Sequence, residues 1–232
     1  MKNEQNIFEK EIGIIVEGES DKKFIFEICK KVGLDETKFQ IEKISTRGGK
    51  TDFFGKEHEF TIKNIKNLID KTSENPKKIL LICDADFKEN KKSYDGFQKT
   101  KNTLNPVISK LKKEFKNRKI DFFILPNNKN DGNLDSLFLQ CATKRITEKS
   151  SCVDSYLKCL EKNFLENLSI NKKDKLYSQL LISAIGIKEN FKNVGDVADE
   201  KDGYWNFNCE SLEPLKKFLL DFANLNLNQS KT

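Results

Sequence analysis

Residues 79–86 read ILLICDAD (Ile79 to Asp86). Five apolar residues follow a lysine pair and stop at two aspartates one residue apart. A run this short, bounded by charge, is the pattern of a strand buried on both faces, as in a parallel sheet. Two more runs read as strands, Ile12 to Val16 (IGIIV) and Ile120 to Leu125 (IDFFIL), and Phe39, Ile41 and Ile44 suggest another. Helical spacing separates them. Phe24, Ile25, Ile28 and Cys29 recur at one helical interval, with Asp21 as the expected cap and Gly33 as the stop. Phe60, Ile62, Ile65, Leu68 and Ile69 mark a second helix. Leu104, Val107, Ile108, Leu111 and Phe115 mark a third, expected to be entered near Pro106. Crossovers of this length make the strands parallel, with helices on both faces. The expected fold class is therefore α/β, a mainly parallel four-stranded sheet flanked by helices.

From Leu134 onward only helical spacing remains, over roughly 134–144, 151–165, 172–186 and 211–224. The chain divides into an α/β domain (1–145) and a helical C-terminal extension packed on it (146–232). Residues 193–208 read as a loop pinned by Tyr204, Trp205 and Phe207, with the Trp205 region a possible contact surface. There is no internal repeat.

Length and composition narrow the function classes. With 37% hydrophobic and 34% charged residues over 232 positions, the chain has enough apolar mass for a core and enough charge for a solvated surface. No apolar run approaches the ~18 residues that cross a bilayer, and the acidic start MKNEQNIFEKE is unlike a signal peptide. A soluble, cytoplasmic protein without a membrane partner is expected. The six cysteines include no C-x-x-C pair and are expected to be buried, reduced thiols. His58, the single histidine, reads as a surface residue, which leaves zinc and histidine-based catalysis with little to use. Net charge is +6, carried by lysine, a mild excess that permits a nucleic-acid partner. Any chemistry falls to carboxylates.

Ligands of parallel α/β sheets bind beyond the carboxyl ends of the strands. Glu17 ends the first strand, with Gly18 behind it and Asp21 at the mouth of the next helix. Arg47, Gly48, Gly49 and Lys50 follow the second strand, as a turn or as a phosphate cradle of backbone N–H groups and a lysine. Asp84 and Asp86 end the third, and two-residue spacing on a strand sends both side chains to one face. If Glu17 lies on a neighbouring strand, three carboxylates converge. Two unit charges ~5 Å apart repel by about 3 kcal/mol at an effective dielectric of ~20. An all-oxygen cluster relieves that by binding a hard cation such as Mg²⁺ or Mn²⁺.

The ordered set VEGESD (Val16 to Asp21), a glycine-bearing turn and ILLICDAD (Ile79 to Asp86) resembles the Toprim domain of topoisomerases, bacterial primases and OLD-family nucleases. The ending GYWNFNCESLEPLKKFLLDF also resembles small, stand-alone bacterial Toprim-like proteins of unassigned function. The resemblance implies Mg²⁺-dependent phosphodiester chemistry, with Glu17 as acid/base or ligand and Asp84 and Asp86 as metal ligands. OLD-type members add acids matched here by Asp21 and, with Asp in place of the usual Glu, by Asp135. Within these 232 residues no nucleophilic-tyrosine domain, primase zinc region or ATPase domain is expected, so topoisomerase and primase activity are not. The expected function is a metal-dependent nuclease acting on DNA or RNA. The alternatives are a non-catalytic metal- and nucleic-acid-binding module, perhaps beside a partner ATPase, and a nucleotide or phosphatase-type site at Asp84-x-Asp86.

Overall fold

A computed structural model of the chain describes residues 10–44, 65, 66, 68, 69, 76–88, 95–148, 150–163, 170–186, 191–199, 201 and 203–223. The four strands are β1 (Ile12–Val16), β2 (Phe39–Lys43), β3 (Lys78–Asp84) and β4 (Lys119–Leu125). They form one sheet in the order β2-β1-β3-β4, with every neighbouring pair parallel. The fold is the α/β class expected from the apolar runs.

Alternation along the strands divides the core into two layers. Ile12, Ile14 and Val16 of β1 and Leu80 and Ile82 of β3 face one side. Ile15 of β1 and Ile79, Leu81 and Cys83 of β3 face the other. Both central strands are therefore apolar apart from Lys78 and Asp84 at the two ends of β3, because their residues meet helices on one face or the other. Helix α1 (Glu19–Lys31) covers the first face through Phe24, Ile25, Ile28 and Cys29. It stops where Gly33 takes a φ of 78° and the Leu34 N–H reaches back to the Cys29 carbonyl. Helix α2 (Phe97–Glu114) covers the second face through Leu104, Val107, Ile108 and Leu111, beside the helical residues Ile65 and Ile69. The remainder of the helix expected around Phe60 lies outside the described residues, apart from Lys66 and Leu68.

Helix α2 begins at Phe97, well before the expected entry at Pro106, which sits inside it. Pro106 is on the solvated face, so the carbonyl that the missing N–H leaves free is on the exposed side of the helix. Asp131 starts the helix from outside, its carboxylate accepting the Phe97 N–H at 2.7 Å.

The C-terminal part follows as α3 (Leu134–Cys141), α4 (Lys144–Thr147), α5 (Ser150–Asn163), α6 (Ile170–Gly186), a 3-10 turn (Glu210–Leu212) and α7 (Glu213–Ala223). Its apolar residues join the α1 side of the sheet in one continuous core. Trp205 sits at the centre, with ring centroids 4.6 Å from Phe24 and 5.1 Å from Phe138. Its indole N–H donates to the Val194 carbonyl at 3.2 Å. Tyr204, Trp205 and Phe207 are all buried, so they anchor the loop as expected, and Trp205 is a core residue rather than a contact surface.

The cysteines depart from the expectation of reduced, buried thiols. Cys29 and Cys83 are free and buried, but Cys152 and Cys159 are exposed. Cys141 at the end of α3 is disulfide-bonded to Cys209 ahead of the 3-10 turn, with Cα atoms 5.5 Å apart. The spacing of 68 residues hides this pair from any local reading. Among the described residues no helix is long and apolar enough to cross a membrane.

The loop at 191–199 presses on the first turn of α1. A Cβ at Gly195 would stand 2.2 Å from the Ser20 carbonyl oxygen, and the Gly195 N–H donates to Ser20 Oγ at 2.9 Å. Lys23 reinforces the contact through Asp196, at 2.5 Å. Gly195→Ala is therefore expected to push the loop off the helix and cost about 1–3 kcal/mol, as overpacking does. Urea unfolding of the variant measures it, and an unchanged midpoint would contradict so tight an approach.

Candidate active site

In the order β2-β1-β3-β4 the chain leaves β1 toward one edge through α1 and leaves β3 toward the other through α2, with the two helices on opposite faces. The crevice of such a sheet opens between β1 and β3, where the direction reverses. Register then sets what lies there. Ile15 pairs with Leu81, so Glu17, two residues on, comes level with the end of β3.

Glu17 is 6% exposed, and its Oε1 accepts the Asp84 backbone N–H at 3.0 Å. Asp84 in turn accepts the Leu134 N–H at 3.1 Å through Oδ1. Leu134 opens α3, so this carboxylate sits on the positive end of a helix. Glu17 and Asp84 thus join β1, β3 and α3 at one point.

Asp86 arrives by a different route from the expected strand alternation. The strand ends at Asp84, and Asp86 has a φ of 57° in the left-handed region. Its backbone exchanges two hydrogen bonds with Gly132, at 2.7 and 3.0 Å. Left-handed backbone at a non-glycine residue costs roughly 1–2 kcal/mol, and strain of this kind clusters at functional sites.

Asp21 lies in the first turn of α1, inside the helix rather than capping it. Gly18 is the cap, and Asp21 Oδ2 reaches back to its N–H at 3.0 Å. Burial raises this carboxyl to about 6, against two backbone hydrogen bonds that favour the anion, and the negative charges of Asp135 and Asp86 raise it further. Asp135, in the first turn of α3, is also raised, first by burial and also by Asp86, while Ser178 and Lys175 oppose the shift. Asp21, Asp86 and Asp135 therefore share one electrostatic neighbourhood beside the Glu17–Asp84 pair.

Three residues of α6 belong here and carry no local signal in the sequence. The Ser178 hydroxyl donates to Asp135, Lys175 attracts it, and burial and then Asp135 raise the Asp174 carboxyl. Asp174 and Ser178 are four apart on one helical face, but only the packing of α6 on α3 shows what that face meets. Arg47, Gly48, Gly49, Lys50 and His58 lie outside the described residues.

The donor set suits a hard cation: five carboxylates, with no thiol or imidazole among them. Among the described residues no three acidic, thiol or imidazole side chains stand close enough to share one ion in this arrangement. A cavity of ≈ 420 Å³ opens on the other flank of α1, over Phe26, Phe39 and Ile41 of α1 and β2. None of the five acids lines it, so the cavity and the carboxylates are separate features.

A family profile described as "Protein of unknown function (DUF3226)" matches residues 12–224. The chain belongs to this family. The DUF3226 match begins at the first residue of β1 and ends one residue beyond α7, so it takes in the sheet, the helical C-terminal part and all five acids. No curated protein and no solved structure matches the chain.

Proposed function

We propose that the protein is a Toprim-like, Mg²⁺- or Mn²⁺-dependent nuclease that cleaves phosphodiester bonds of DNA or RNA. One observation carries this reading: the charges of Asp86 and Asp135 raise the proton affinity of Asp21, and that of Asp86 raises the proton affinity of Asp135, beside the Glu17–Asp84 pair at the switch point of a parallel sheet. Carboxylates so arranged gain by binding a cation, which draws them together, screens their repulsion and takes the place of the protons. Glu17, Asp21, Asp84, Asp86 and Asp135 are the residues that would hold it. The bound ion would activate water and stabilise the leaving oxygen of a phosphodiester. Asp84, anchored on the α3 N-terminus, keeps its charge in place, and Glu17, buried on the Asp84 N–H, is the acid/base candidate. Arg47, Gly48, Gly49 and Lys50 remain the candidate phosphate cradle. The cytoplasm supplies both nucleic acid and Mg²⁺, and in its reducing conditions Cys141 and Cys209 would be neighbouring thiols.

A second reading has its own support. The described acids do not reach a common ion without moving, which suits a non-catalytic module that binds metal and nucleic acid beside a partner ATPase. Labelled single- and double-stranded DNA and RNA, incubated with Mg²⁺ or Mn²⁺, separate the two. A nuclease cleaves at least one polymer and loses that activity in Asp84→Asn. Metal binding without turnover on any polymer would favour the module, and no metal binding at all would end both.

A further inference from the structure

The surplus positive charge of the chain is concentrated on one helix. Residues 97–118, helix α2 and the turn after it, carry six lysines and one arginine against a single acid, Glu114. That net of +6 equals the excess of the whole chain, so the remainder is balanced. Lys99, Lys101, Lys110, Lys112, Lys113 and Lys116 are all exposed, and none is in an ion pair among the described residues. Glu114 is already taken by Lys66. Lys99 and Lys110 are eleven residues apart, as are Lys101 and Lys112, so each pair spans three turns, about 16 Å along the axis. The two rows flank the neutral polar residues Asn102, Asn105 and Ser109.

A solvated helix face ordinarily mixes its charges, with acids favoured at the start and bases at the end. The first turn of α2 has no acid and instead holds Lys99, which the helix dipole opposes. Lys110 and Lys113, one turn apart, repel each other. Helix stability therefore does not account for the pattern, whereas a polyanion does. The patch also starts at the acids. The Gly96 N–H and the Thr100 hydroxyl both donate to the Ala85 carbonyl, at 2.9 and 3.2 Å. Ala85 stands between Asp84 and Asp86, so the first turn of α2 is fastened to the candidate site, with Lys99 and Lys101 on either side of Thr100. An anionic membrane suits this face less well. Leu104, Val107, Ile108 and Leu111 are buried against the sheet, so the apolar stripe that would sink into a bilayer is already covered.

We propose that the exposed face of α2 is the surface on which the phosphate backbone of a nucleic acid lies, its two lysine rows neutralising phosphates and its first turn leading the strand to the carboxyl edge of the sheet. Each lysine that displaces a counterion adds affinity that fades with salt. This deepens the nucleic-acid reading above and rests on it, but binding to the helix needs no metal ion.

Fluorescence anisotropy of labelled DNA and RNA oligonucleotides, single-stranded and duplex, tests this in EDTA over a series of KCl concentrations. The native chain is compared with a patch variant carrying Lys99→Gln, Lys101→Gln, Lys110→Gln and Lys112→Gln. A control carries Lys144→Gln, Lys158→Gln, Lys201→Gln and Lys217→Gln, exposed lysines of the C-terminal part, and so loses the same charge. The patch variant is expected to flatten the slope of log affinity against log salt by about 3–4 and to bind about 100-fold more weakly at physiological salt. The control is expected to stay close to the native chain. Should the fourfold variant not fold, Lys99→Gln with Lys110→Gln takes its place, with about half the change in slope. Native affinity and slope in the patch variant overturn the docking surface alone. Equal losses in the two variants overturn it too, by reducing the effect to net charge. A native chain that binds no oligonucleotide, or that sediments only with phosphatidylserine vesicles, overturns the nucleic-acid reading along with it.

Discussion

Glu17→Gln is expected to lower metal-dependent cleavage by about 100-fold or more, the scale of a lost acid/base group, with the melting temperature unchanged within about 2 °C. The two halves of this result come from different atoms. Glu17 Oε1 accepts the Asp84 N–H, and a glutamine carbonyl oxygen does the same in the same volume. The sheet therefore keeps its closure between β1 and β3. The negative charge is lost, and with it a ligand or proton acceptor. Glu17→Ala is a poorer probe, because it strands the Asp84 N–H in a buried position at about 1–3 kcal/mol and mixes folding with chemistry. Cleavage at native rates by a folded Glu17→Gln protein would remove Glu17 from the reaction and leave it as a connector of two strands.

Asp21→Asn is expected to act in opposite directions on stability and on metal binding. Burial and the neighbouring aspartates hold the Asp21 carboxyl at about 6 in the folded protein, against 3.8 for an ordinary aspartate. The folded state thus binds the proton more tightly than the unfolded state, and folding loses free energy as pH rises from about 4 through 6. At about 1.4 kcal/mol per pH unit the loss is at most about 3 kcal/mol, complete above that range. Asparagine has no charge to bury, and its carbonyl oxygen still accepts the Gly18 N–H that starts α1. The metal-free variant should therefore be the more stable protein at pH 7.5, with the advantage gone at pH 3.5. Mn²⁺ should raise the melting temperature of the native chain at pH 7.5 and do so far less in the variant. Urea unfolding at the two pH values, with and without Mn²⁺, reads all four numbers. A variant less stable than the native chain at pH 7.5 would make Asp21 a helix-start residue and nothing more.

The sheet was legible because its two central strands are buried on both faces: IGIIV and ILLIC have no polar position to confuse them with a surface helix. The acids at their ends were legible for the same reason, since a charge that follows such a run falls at the sheet edge. What failed to show was most of the long-range contact outside the sheet. The approach of Asp86 looked like strand alternation but depends on left-handed backbone and on Gly132, 46 positions away. The start of α2 combines the cap Gly96 with the carboxylate of Asp131, 34 positions on, so the proline stood out and the real start did not. Cys141 and Cys209, and Ser178 with Asp135, likewise meet only because separate helices pack on a common core. Periodicity reports which face of a helix is apolar; it says nothing about which other helix covers it.

Anomalous scattering from crystals soaked in Mn²⁺ tests the metal site most directly. The prediction is a peak bounded by Glu17, Asp84 and the carboxylates of Asp21, Asp86 and Asp135, drawn together around the ion. Manganese absent from that crevice, at a concentration that saturates ordinary Mg²⁺ enzymes, would leave the acids as helix and strand fixtures and contradict the proposed chemistry.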